Sequence, residues 1–267
     1  FGTMAQRWPN IEFSLLNHSG MAFISINHNA WEVIRQLLDL EVSINNFRVA
    51  GNNVRFVDWV EAAFGKPALY LPNLYDISKF VNPVVSRGHY DPLRLGTLGE
   101  PRPWKNQEVA AEASLSIARA LGVQLEYYVS TDRWPNPFQQ RVVRGRNQLF
   151  ADLPTAKLIE IGWQPWPKFM KIISGMDLLL MPSFDETFCC VVADGLAMGV
   201  PSVVTSAMEW LRAPNRAWWC EPCDPGSVAA IAQVILSSRT GNVIDQRKAL
   251  VNYVNAGLQN WIEYLTT

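Results

Sequence analysis

The chain has 267 residues, a length between one domain and two, because single cores commonly stop growing near ~100–200 residues. Its 23 Lys+Arg against 24 Asp+Glu give a net charge of −1, without the basic surplus of a nucleic-acid-binding module, so no nucleic-acid partner is expected. Hydrophobic residues at 49% against 18% charged exclude a disordered chain and imply a large buried core.

Taken in chain order, short β-rich apolar segments alternate with helical periods, the pattern of a parallel α/β sheet. Strands are predicted at 11–16, 41–44 and 68–71, with helices at 30–40 and 54–64. Residues 71–90 hold two prolines and no sustained period, which reads as a linker, with the boundary at 74–90. Beyond it, strands are predicted at 93–98, 124–129, 157–161, 177–181 and 202–204, and helices at 105–121, 137–149, 167–174, 188–198 and 227–238. The last pattern, 244–265, is amphipathic, with Leu250, Val254, Leu258, Trp261 and Leu265 on one face.

No apolar run reaches the ~18 residues that span a bilayer, and no signal-peptide pattern opens the chain, so a cytoplasmic protein without a transmembrane segment is expected. Asn17-His18-Ser19 fits a glycosylation sequon but has no secretory context. Four cysteines, Cys189, Cys190, Cys220 and Cys223, are too few and too clustered for a disulfide framework. Cys220-Glu-Pro-Cys223 is a CxxC that a zinc ion would need paired with Cys189 and Cys190, yet adjacent cysteines within a helix do not converge on one ion, so no metal is expected.

Two segments carry candidate chemistry. The first runs Met-Pro-Ser-Phe-Asp-Glu-Thr-Phe-Cys-Cys-Val-Val-Ala-Asp-Gly-Leu-Ala-Met-Gly-Val-Pro from Met181. It follows a buried strand, and ligands of open α/β sheets sit beyond the carboxyl ends of strands, so 183–188 is placed at the ligand edge. A helix starting there presents unpaired N–H groups suited to phosphate. Glu186 and Asp194, eight residues apart, face one crevice if that helix begins near Thr187. In isolation, ordinary capping and dipole chemistry is the simpler account of such carboxylates.

The second is Leu95-Gly-Thr-Leu-Gly-Glu-Pro-Arg-Pro-Trp-Lys-Asn106. Gly96 and Gly99 would let backbone approach a ligand. Arg102 and Lys105 place two cations before a helix, where the dipole does not favour them but a diphosphate would. Two solvated loop charges are the alternative. Neither a Walker A pattern nor G-x-G-x-x-G occurs.

In order and spacing these segments resemble the retaining, group 1 (family 4) glycosyltransferases of the GT-B fold. Leu71-Pro-Asn-Leu-Tyr-Asp76 is similar to the family's inter-domain segment, and Gly162-Trp163 with Trp166 to a strand end before a helix. The family's Glu-x7-Glu stands here as Glu186-x7-Asp194. The resemblance covers about 70–235 well and 11–70 weakly.

It implies an α/β protein of two Rossmann-like parallel-sheet domains facing each other across a cleft, the first incomplete. The expected domains are a partial acceptor-side domain at 1–80, a nucleotide-sugar domain at 81–242 and a C-terminal helix at 243–267 packing back towards the first. The implied activity is metal-independent hexosyl transfer with retention, from a UDP- or GDP-type sugar to a glycan, lipid or small-molecule acceptor, without a cofactor.

Arg102 and Lys105 would hold the leaving diphosphate, Glu186 the transferred sugar and Asp194 the ribose, with Ser183, Gly96 and Gly99 beside the donor. The backbone N–H groups of Thr187 and Phe188 would meet the phosphates. His18, closing a strand, is the candidate for acceptor-side chemistry, or else a satisfied strand-end histidine; His28 and His89 sit in loop-like contexts without a role. Trp104 and Trp166 are the tryptophans nearest the expected cleft. A nucleotide-sugar epimerase and a catalytically silent nucleotide-sugar-binding protein keep the same fold. The short first domain and the Phe-Gly-Thr-Met start are read as an N-terminal truncation.

Overall fold

The computed structural model describes residues 2–80, 92–131, 137–211 and 217–266. The chain divides into two compact units, one comprising Phe1–Tyr75, Asp185–Phe188 and Asn252–Thr267, the other Asp76–Phe184 and Cys189–Val251.

The first unit runs α1 (Gly2–Arg7), β1 (Phe13–Asn17), α2 (Met21–Ile26), α3 (His28–Ser43), β2 (Phe47–Gly51), α4 (Val54–Phe64) and β3 (Leu69–Tyr70). Its strands are parallel in the order β1-β2-β3. The strand predicted at 41–44 is instead the end of α3 and its C-cap Ile44. Val42 points to solvent, 67% exposed, where a covered parallel strand would bury it, and the strand comes at Phe47, Val49 and Ala50, all buried. His28, read as a loop residue, opens α3, while His89 lies outside the described residues. Asn27 caps α3 through Asn29 and Ala30 N–H, and Asn53 Oδ1 caps α4 through Phe56 N–H at 2.8 Å. The core gathers Phe47, Val49, Phe56 and Val60 between sheet and helices, with Leu38 of α3 beneath.

The second unit contains β4 (Leu93–Thr97), α5 (Gln107–Leu121), β5 (Leu125–Ser130), α6 (Pro137–Leu149), β6 (Ala156–Ile161), α7 (Trp166–Ser174), β7 (Leu178–Met181), α8 (Cys190–Ala197), β8 (Ser202–Val204) and α9 (Pro225–Ser237). Its parallel order β6-β5-β4-β7-β8 reverses direction between β4 and β7, the switch point at which doubly wound sheets bind ligands. All four residues of β7 are buried, as a central strand covered on both faces requires. On the β8 edge, the Gln246 amide accepts from Ser202 N–H and donates to its carbonyl, each at 2.9 Å, standing in for a missing strand.

Arg94 and Glu126 are register partners on β4 and β5 and pair at 2.8 Å. Burial pushes the Glu126 carboxyl upward, and hydrogen bonds from Arg94 and Tyr128 outweigh it, leaving the group below its ordinary value. Of the predicted linker, 77–79 forms a 3-10 turn capped by Asp76, and 81–90 lies outside the described residues.

The last helix, α10 (Arg239–Thr266), belongs to the second unit up to Val251 and to the first from Asn252. In the first unit, Trp261 Nε1 donates to Pro72 O at 2.8 Å and Ser14 Oγ donates to Tyr264 OH at 2.7 Å. Gly257 leaves room for Pro72, whose Cγ would lie 2.7 Å from an added Cβ. Among the described residues no helix is long and apolar enough to cross a membrane.

Candidate functional site

A cavity of about 350 Å³ opens at the carboxyl ends of β4, β5 and β6. Gly99 and Glu100 line it after β4, Ser130 and Thr131 at the end of β5, Gly162, Trp163 and Gln164 after β6, and Phe169 from α7. Parallel packing produces this: three adjacent strands end together and their loops form one rim. Gly99 sits at φ +102°, a region that side-chain-bearing residues rarely enter. Trp163 is 64% exposed, its ring open at the rim.

Of the sequence-predicted residues, only Gly99 lines this cavity. Gly96 is buried within β4, and an added Cβ would lie 2.5 Å from Met176 Sδ. Its missing side chain makes room for the core. Thr97 beside it donates to Leu180 O at 2.8 Å and accepts from Tyr127 OH at 2.7 Å. Tyr127 is fully buried, stacks on Phe150 with ring centroids 5.3 Å apart, and has its phenol pushed upward by burial.

Arg102 and Lys105 precede α5 as expected, but the helix starts at Gln107. Arg102 N-caps a 3-10 turn, 103–105, and Asn106 at φ +55° turns the chain into the helix. Asn106 Nδ2 donates to Pro182 O at 3.1 Å and to Pro222 O, tying this turn to the end of β7 and to the CxxC segment. The Arg102 guanidinium pairs with Glu100 and lies 5.7 Å from the Trp104 ring centroid. It is held at the surface, with its charge already engaged by a carboxylate.

The 183–188 segment is divided between the units. Ser183 belongs to the second, is fully buried, and its carbonyl accepts from Thr205 Oγ1 at 2.6 Å. Asp194, also there, is 5% exposed and accepts from Trp166 Nε1 at 3.3 Å. Asp185 to Phe188 belong to the first unit. The expectation of a helix from Thr187 is corrected: α8 begins at Cys190, after Cys189 at φ +58°. Thr187 and Phe188 therefore offer no helix N-terminus, and the condition for Glu186 and Asp194 to share one helical face fails. Phe188 is buried, with its ring centroid 5.5 Å from Tyr253 and 6.3 Å from Tyr75. Asp185 Oδ2 accepts from Ala22 N–H at 2.8 Å, a tether that the sequence did not show because its partners share no period or motif.

Within the first unit, His18 is exposed at the carboxyl end of β1, with Nδ1 3.3 Å from Asn52 Nδ2 at the end of β2. Asn52 is buried.

The four cysteines are free thiols, Cys189 and Cys220 buried, Cys190 and Cys223 exposed. Burial pushes the Cys220 thiol up to about 12. Among the described residues no three His, Cys, Asp or Glu side chains group as metal ligands.

No protein-family model matches the chain, and no curated protein matches it by sequence. Solved structures do match. Sucrose-phosphate synthase from Thermosynechococcus elongatus aligns over 99% of this chain and 70% of its own, at 15% identity and TM-score 0.72. A glycosyltransferase from Rickettsia africae aligns over 98% and 78%, at 13% identity and TM-score 0.67. An S. aureus TarM variant, solved with fondaparinux, alpha-GlcNAc-glycerol and UDP, aligns over 97% at 11% identity and TM-score 0.67, and this chain spans 51% of its length. The likeness is one of fold: α/β with parallel sheets, a GT-B-like architecture.

Proposed function

We propose that this chain is a glycosyltransferase that takes a hexosyl group from a nucleotide-diphosphate sugar. The observation that carries this reading is the cavity at the ends of β4, β5 and β6, beside the switch point of a sheet whose structural neighbours include a UDP complex. The cavity takes the nucleotide: Trp163 offers a stacking face, and Ser130, Thr131 and Gln164 offer hydrogen bonds. Arg102 and Lys105, on the turn that follows Gly99 and Glu100, stabilise the diphosphate as the sugar leaves. Arg102 must then exchange Glu100 for phosphate.

Glu186 contacts the transferred sugar and His18 faces the acceptor, a hydroxyl of a glycan, lipid or small molecule. The acceptor oxygen replaces the phosphate oxygen on the anomeric carbon with retention, and no metal or other cofactor takes part. Asp194 supports the ribose from its bond to Trp166.

A second reading, nucleotide-sugar binding without turnover, is favoured by one observation: Arg102 is already neutralised by Glu100. Incubation with UDP- and GDP-sugars and a panel of acceptors separates the two. Glycoside and nucleoside diphosphate formed in equal amounts support transfer, binding without products supports the silent reading, and conversion of the sugar without nucleotide release identifies an epimerase.

A further inference from the structure

Among the described residues, Arg146 of α6 heads the fully buried side chains by size. Burying a guanidinium costs several kcal/mol unless it is paired and its hydrogen bonds are met, and an apolar side chain of similar volume generally serves a core at least as well. Its carboxylate partner, Glu160 at 2.9 Å, is itself 41% exposed. Core stability alone therefore does not account for a cation here.

The other bonds of Arg146 do. Nη1 donates to Gln107 Oε1 at 2.8 Å and to Ser130 O at 3.4 Å. These two residues hold Gly99: Gly99 N–H donates to Ser130 Oγ at 3.0 Å, and Gly99 O accepts from Gln107 Nε2 at 3.4 Å. Arg146, Gln107, Gly99 and Ser130 thus close a ring of hydrogen bonds behind the cavity wall. Glu100, the next lining residue, accepts from Gln139 Nε2, about two turns from Arg146 on the same helix. Nε and Nη2 meanwhile donate to Asn147 Oδ1 at 3.1 Å and Glu160 Oε1 at 2.9 Å, fixing the guanidinium plane and so the direction of Nη1, which an ammonium with a single nitrogen does not do.

We propose that Arg146 is a positioning residue that sets the Gly99–Ser130 wall before a nucleotide enters, so that binding spends no free energy on ordering the loop. This rests on the nucleotide reading of the cavity. The test uses Arg146→Met, which keeps volume without charge, Arg146→Lys and Gln107→Ala. Calorimetry with UDP and GDP, steady-state kinetics at varied donor, and amide exchange at Gly99 in the ligand-free protein are measured for each.

The expected result is a Kd and donor KM raised tenfold or more in all three variants, kcat at saturating donor within twofold of the parent, and faster exchange at Gly99. Unchanged Kd, full rescue by lysine, or a fall in kcat at constant KM overturns the proposal. If the parent protein binds neither nucleotide, the functional reading fails instead, and Gly99 exchange still decides the positioning role: faster in the variants supports it, unchanged overturns it.

Discussion

The Asp185 carboxylate caps α2 from 163 residues away, accepting Ala22 N–H at 2.8 Å. The local N-cap, Gly20, has no side chain to do this, and an added Cβ would collide with the same carboxylate. Together with the packing of Phe188 on Tyr75 and Tyr253, it fixes both ends of the 185–188 segment in the first unit.

Asp185→Ala removes a cap and should cost about 1 kcal/mol, with Asp185→Asn, which keeps an acceptor oxygen, closer to the parent. Gly20→Ala should displace the carboxylate and cost at least as much as Asp185→Ala. Urea denaturation midpoints check the order, and an Asn variant no better than Ala contradicts the cap.

Gly96→Ala tests whether this glycine serves packing. Its Cβ would press on Met176 Sδ at 2.5 Å and on Leu179 Cδ2 at 3.2 Å, and overpacking of this kind costs about 1–3 kcal/mol. A lowered thermal midpoint with donor affinity unchanged in the folded fraction is expected; weaker donor binding at full stability would return Gly96 to the site.

Glu41 provides a pH signature. Burial raises its carboxyl, and Oε2 has no hydrogen-bond partner among the described residues. The folded state therefore favours the protonated form. Its stabilising contribution is fully present below the unfolded value near pH ~4 and is lost as pH rises through the higher folded value. Glu41→Gln should raise stability at pH 7 and leave it unchanged at pH 3, measured as denaturation midpoints at both; equal gains at the two pH values would refute the assignment.

The two cysteines of Cys220-Glu-Pro-Cys223 should differ in reactivity. Cys220 is buried with its thiol pushed up to about 12, whereas Cys223 is exposed. Alkylation of the native protein at pH 8, followed by mass spectrometry, should label Cys223 and Cys190 within minutes, and Cys220 and Cys189 only after unfolding.

Arg102 provides the kinetic prediction. Removing a charge-stabilising donor from a transfer site typically costs 10²–10³ in rate, so Arg102→Ala should lower donor kcat/KM by about that factor. Glu100→Gln frees Arg102 from an ion pair whose side chains are 44% and 36% exposed. Such pairs contribute up to about 1 kcal/mol, so donor affinity should rise by no more than about fivefold. A fall in affinity instead would make Glu100 a binding residue.

The alternating pattern carried the sheets well, down to the bounds of α4, α6 and β8, because buried parallel strands and amphipathic helices leave distinct periods. It failed at 41–44, where Val and Ile supply β-branched residues to a helix end, and at α1 and α2, which at six residues each are too short to show a period. The site was less legible. Gly99 and the turn bearing Arg102 and Lys105 were visible as a glycine loop with cations. The Glu100 ion pair that engages Arg102, the Asp185 tether and the ring around Arg146 depend on contacts that local pattern does not encode. Ser130 and Thr131 stand at the end of β5 without the glycines or cations that mark the end of β4, so only the parallel register brings them to the same rim.

The Ser14–Tyr264 hydrogen bond joins residues 250 positions apart, and its consequence falls on the order of folding. The second unit draws on two nearly adjacent stretches, while the first needs both the beginning of the chain and its last turns. During synthesis β1 and β2 emerge before the second unit, yet the helical segment from Asn252 onward that bonds Ser14 and Pro72 follows it. The first unit therefore completes only after the whole of the second has been synthesised, its sheet waiting until then for Trp261 and Tyr264.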